Sequence, residues 1–108
     1  MAQNFRRYTS NNVGTSAATI FTADSYDTIV GISVSNVTTS AINVSVYIND
    51  GSNDIHLVKD APITAGGALQ VVDCGAKFVV QSGDALKVIS DTASSADVWV
   101  SAVDAIST

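Results

Sequence analysis

Glutamate is missing from this chain of 108 residues, whose ten acids are all aspartate, and only three leucines are present. The residues that make helices cheap are therefore scarce. With a single cysteine, Cys74, no internal disulfide can form. One cysteine and one histidine, His56, fall short of a zinc ligand set. Five basic residues against ten aspartates give a net charge of −5, which opposes a nucleic-acid partner, since such a partner needs a basic face to displace counterions. No apolar run approaches the length of a membrane-spanning helix, so no membrane partner is expected. The opening MAQNFRRYTS has no apolar segment of the kind that makes a secretory leader. Synthesis in a reducing cytoplasm is the expectation.

What the chain has is valine, isoleucine, threonine, serine and asparagine. It is 46% hydrophobic yet only 14% charged. β-Branched residues are stiff at χ1 and suit a pleated surface, whereas Asp, Asn, Ser and Gly suit turns. The stretch NVTTSAINVSVYINDGSNDIHLV makes the pattern plain. Ile42, Val44, Val46 and Ile48 share one parity, and Ala41, Asn43, Ser45 and Tyr47 share the other. Asp50-Gly51 follows as a hairpin signal, although the spacing from Asn49 to Asp54 fits a longer loop at the same corner equally well, and an apolar run resumes at Ile55. The same alternation places Val30, Ile32 and Val34 inward. Further strands are expected over residues 16–22, 54–59, 68–73, 77–81, 84–90 and 97–106, with Pro62 at an edge or strand entry. Seven or eight strands with turn residues every eight to twelve positions predict an all-β, single-domain antiparallel β-sandwich, jelly-roll or Ig-like. Residues 1–15 read as an extended N-terminal arm with a short strand at 5–9, and residues 16–108 as the sandwich.

Catalytic and ligand-binding patterns are sparse. His56 between Ile55 and Leu57 reads as a strand residue facing solvent or a loop. No G-x-S-x-G elbow, phosphate loop or paired Glu acid and base occurs, so no catalytic residue and no cofactor is expected. The loop Asn49-Asp50-Gly51-Ser52-Asn53-Asp54 has oxygen donors around a glycine but lacks the distal Glu of a calcium loop. It reads as a turn in which Asn and Asp cap their own backbone. Asn36-Val37-Thr38 and Asn43-Val44-Ser45 match the glycosylation pattern, as chance allows in so Asn-rich a chain. Cys74 reads as a small semi-buried filler.

Contacts between molecules are better represented. Phe5, Arg6, Arg7 and Tyr8 combine bidentate donors with aromatic area, suited to docking on a neighbouring subunit. Trp99 lies on the opposite parity from Val98 and Val100, so it either fills one end of the core or covers an oligomer contact. Val71-Val72 and Val79-Val80 are apolar on both parities, which suggests strands covered on both faces.

Over most of its length the chain resembles a family of small virion proteins of tailed bacteriophages, of marine and cyanobacterial myophage type. The resemblance is carried by the leader Phe5-Arg6-Arg7-Tyr8-Thr9-Ser10-Asn11-Asn12-Val13-Gly14-Thr15-Ser16 and by the strand Ile29-Val30-Gly31-Ile32-Ser33-Val34-Ser35-Asn36. His56-Leu57-Val58-Lys59-Asp60-Ala61-Pro62-Ile63 and Gln81-Ser82-Gly83-Asp84-Ala85-Leu86-Lys87-Val88 complete it. It implies a non-enzymatic building block on the capsid, neck or tail. The expected partners are copies of itself and other virion proteins, and the expected location is the virion. It also implies that Gly83-Asp84 turns the chain into a strand and that the corner at 59–62 ends one. The alternative is a carbohydrate- or receptor-binding module of an adhesion device, with Tyr26, Tyr47 or Trp99 as ring platforms.

Overall fold

The computed structural model describes residues 4–23, 27–72 and 78–104, and all regular structure among them is β-strand. Nine strands run in chain order: β1 Asn4–Val13, β2 Ala18–Thr22, β3 Asp27–Asn36, β4 Ile42–Asn49, β5 Asp54–Ile63, β6 Ala68–Val72, β7 Phe78–Val80, β8 Ala85–Ser90 and β9 Ala96–Asp104. Tyr26, Cys74 and the start of the strand expected at Lys77 lie outside the described residues, as does the end of the strand expected to reach Ile106.

The pairing is nested. β4 pairs with β5, β3 with β6 and β7, β2 with β8, and β1 with β9, always antiparallel. The chain is one long hairpin, with the Asn49–Asp54 turn at its tip, folded over on itself. Pairing of β3 with β9 and of β4 with β8 closes the ribbon into two sheets. Their orders are β1-β9-β3-β6, with β7 also on β3, and β2-β8-β4-β5. With β6 and β7 counted as one interrupted strand, this is the jelly-roll order.

Alternation dictates the core. Ile42, Val44 and Val46 from β4, Leu86 and Val88 from β8, Ile29, Ile32 and Val34 from β3, and Val98 and Val100 from β9 are all buried between the sheets. Each such side chain contributes about 1.5–3 kcal/mol by leaving water. Val30 departs from the expected parity. A register shift between Ile29 and Gly31 inserts it as a bulge residue, so Ile29 faces inward in its place.

A second correction concerns residues 59–62, which end no strand. They lie within β5, where the register jumps between the Val44–Ala61 and Val46–Val58 pairs. Asp60 takes a φ of 51° there, and its N–H donates to the buried Ser45 Oγ at 2.9 Å. Bulge, charge and Pro62 together blunt β5, which is an edge strand. The Gly83-Asp84 turn does fall where expected. Gln81 N donates to Asp84 Oδ2 at 2.9 Å, and β8 begins at the next residue.

Two buried polar knots tie the loops. Asn36 Nδ2 donates to the carbonyls of Ser40, Ile63 and Thr64, and its Oδ1 accepts from Thr38 N and Oγ1. Its amide is consumed in joining the β3–β4 loop to the end of β5, so the Asn36 glycosylation pattern has no free acceptor. Ser90 and Ser95 hydroxyls meet beneath the β8–β9 turn, where Ser95 Oγ also donates to Thr92 O at 2.7 Å. A Cβ on Gly14 would lie 3.1 Å from Ser94 N and 3.2 Å from Ala93 Cα, so a side chain there would press on the backbone of the same corner.

Candidate assembly surface

The segment expected as an arm is β1, paired with β9 from one end to the other. Strand alternation then splits the Phe5–Tyr8 cluster. Tyr8 turns inward beside Val100 and stacks on Phe21 of the other sheet, with ring centroids 4.3 Å apart and planes 10° from parallel. Arg6 shares its parity. Phe5 and Arg7 turn outward, and Phe5 is 80% exposed.

Trp99 turns outward as well. At 51% exposure it fills no part of the core, because its neighbours Val98 and Val100 hold the inward positions. Its cross-strand partners are Thr9 and Ser33, small residues that leave the indole proud of the sheet. Arg7 reaches over it, with Cζ 5.5 Å from the ring centroid. At an exposed site this cation–π contact is worth about 0.5–1 kcal/mol. Three of the five sequence-chosen residues, Phe5, Arg7 and Trp99, thus share one face. Arg6 and Tyr8 lie on the other side of β1.

Register extends that face to residues the sequence does not bring together. Phe5 lies opposite Val103, Val103 opposite Thr28, and Thr28 opposite Val79. These four make one row across β1, β9, β3 and β7, and Val79 is 64% exposed. The double-sided apolar pair at 79–80 is explained: Val80 enters the core and Val79 joins this row. Further along, Trp99 sits in a shallow depression with Arg7, Thr9, Asn11, Ser33, Ser35 and Asp97. No sequence signal alone could have assembled the row, since it requires knowing which strands are neighbours.

Charge is distributed unevenly between the two sheets. Asp50 and Asp54 flank the hairpin tip, Asp60 is in β5, and Asp84 and Asp91 are in turns. Among the described residues, the outward positions of the five-stranded sheet carry only Arg7 and Asp97 as charged groups. Asp97 Oδ1 accepts from Asn12 N at 3.1 Å.

The Asn49–Asp54 loop and His56 lie apart from this face. Asp50 Oδ1 accepts from Ser52 N and Asn53 N, and Asn49 Oδ1 from Gly51 N. The bonds from Asn53 and Ser52 hold the Asp50 carboxyl below its ordinary 3.8. The loop is a self-capped turn, with Gly51 supplying a φ of 99°. His56 is exposed on the outer side of the four-stranded sheet, beside Tyr47 with ring centroids 4.9 Å apart. Among the described residues, no three His, Cys, Asp or Glu gather as a metal site.

No protein-family model matches the chain, and no curated protein matches it. Solved structures do. The acidic stable capsid structure of Helicobacter pylori bacteriophage KHP30 contains a chain 11% identical, with a TM-score of 0.60 over 95% of this chain and 87% of that one. A pentameric capsid protein from metagenomic phage sequences is 18% identical, with a TM-score of 0.52. That match takes in 94% of this chain but 60% of the capsid protein. A chain of Bacillus endospore appendages, described as disulfide-linked pili, is 14% identical at a TM-score of 0.50, covering 94% of this chain and 84% of that one. At these identities the likeness is one of fold.

Proposed function

We propose that the chain is a non-enzymatic building block of a tailed-bacteriophage particle, assembling with copies of itself and with a capsid, neck or tail protein. The observation that carries this reading is the two-sheet fold, whose likeness to a chain of a phage capsid structure extends over 95% of this chain. Two further neighbours with this fold come from a pentamer and a pilus, which supports multi-copy association as its use here. The leader at 5–16 and the segments at 56–63 and 81–88 favour the marine and cyanobacterial myophage kind. Chemistry of the residues agrees: nested hydrogen bonding and a dry aliphatic core build persistence, and the polar side chains at the loops are spent on backbone groups.

The test is composition. Particles of a phage encoding the chain, purified on a density gradient and analysed by mass spectrometry, should contain it in many copies. Recovery only in the soluble fraction, with particles free of it, overturns the reading.

A second reading, a carbohydrate-binding module, draws on the Trp99 depression, where a ring stands beside Asn, Ser and Asp. Arg7 already lies over that ring, which disfavours a sugar stacked in the same place.

A further inference from the structure

We infer that the outer face of the five-stranded sheet, centred on Trp99, is the surface on which a second copy of this chain docks. The inference rests on the reading of the chain as a self-assembling unit and names the surface that does it.

Three observations converge. First, charge selects the occupant. Copies carrying −5 repel one another, and the repulsion is weakest where aspartates are fewest. Among the described residues, the exposed aspartates at 50, 54, 60 and 91 lie on the hairpin tip, on β5 and in a turn, away from this face. Among the described residues the face itself carries one positive and one negative group, Arg7 and Asp97, on either side of Trp99 in the register. Such a surface is self-complementary, because the Arg7 of one copy can meet the Asp97 of the next.

Second, the exposed apolar area is concentrated. Of the five large hydrophobic residues left exposed among the described ones, Phe5, Val79 and Trp99 share this face. Phe5 and Val79 end a single cross-sheet row through Val103 and Thr28. Interface centres are depleted in charge and enriched in aromatic residues and arginine, and Trp99 with Arg7 meets that description. Third, the background is small. Thr9, Ser33, Ser35 and Ser101 lie low around the indole, leaving a shallow relief that an opposed copy can fill.

The four-stranded sheet lacks this combination. Its outer side carries Lys87, His56 and Asp54, and its free edge at β5 is bulged and proline-blocked.

Trp99 is the chain's single tryptophan, so its emission reports on this face alone. The full chain is followed by fluorescence and by native mass from micromolar to millimolar concentration. The expected result is an emission maximum that moves to the blue as the mass rises to a multiple of one chain. Phe5→Asp and Trp99→Ser, with circular dichroism like the parent, should each weaken association at least tenfold by native mass. His56→Asp, on the opposite sheet, should leave it unchanged.

Each contrary result is distinct. If the mass rises while emission stays at its exposed position, or if Phe5→Asp associates like the parent, the docking face is elsewhere and the building-block reading survives. If the chain stays solitary throughout, self-docking is overturned. If a solitary chain shifts its emission on adding oligosaccharides, the face is a glycan site and the inference fails. Absence from purified particles counts against the function itself, whatever the face does.

Discussion

Asn36 shows most clearly what a single side chain contributes here. It is almost fully buried and uses both ends of its amide, three donations from Nδ2 and two acceptances at Oδ1. Truncation leaves several backbone groups without partners in a place water reaches poorly, so Asn36→Ala is expected to cost about 2–4 kcal/mol in urea unfolding. A cost under about 1 kcal/mol would show that the loops hold together by other means. Asp50 offers a test of the turn. Its folded pKa is depressed by the N–H groups of Asn53 and Ser52, so its stabilisation is present above the ordinary carboxyl value and is lost as pH falls through the folded value. An NMR titration should place its midpoint below 3.8, and Asp50→Ala should remove the protection of the Ser52 and Asn53 amides. A midpoint at or above that value contradicts the capped turn.

Among the elements, β1 behaves least like its sequence. Residues 1–15 are polar and interrupted, which is how a leader reads, and periodicity could not reveal that β9 waits to pair with them. The pairing of first strand with last is a long-range fact set by the whole nested ribbon. Its consequence is energetic: Val13 is buried, Tyr8 stacks on Phe21, and β9 has β1 as one of its two neighbours. Deleting residues 1–12 should therefore cost about 4 kcal/mol or more, seen as a lowered urea midpoint. A truncated chain of parental stability would mean that β1 is a removable arm. β4 and the turn that follows it, by contrast, were legible, because clean alternation and Asp50-Gly51 are local signals. The bulges at Val30 and Asp60 were not, since nothing in a strand's own pattern announces that its partner has one residue fewer.

At the scale of the molecule, the sequence excluded helices and disulfides and predicted two facing sheets, but left the choice between jelly-roll and Ig-like order open. That choice depends on which strands become neighbours, a property of closure rather than of any segment. The candidate surface was legible in the same partial way. Phe5, Arg7 and Trp99 stood out as aromatic and basic residues in a chain poor in both. Val79 stood out only as half of a doubly apolar pair, and Val103 and Asp97 not at all, because ordinary residues become a surface only when register sets them side by side. The proposed building block is a persistent two-sheet unit, repeated in a phage particle with its five-stranded sheets turned toward neighbouring copies. A cryo-EM reconstruction of the intact particle tests it most directly. The expected result is two-sheet density repeated about a symmetry axis, with the Trp99 indole buried against the next copy. Solitary units, with Trp99 facing solvent and no second copy within reach, would contradict it.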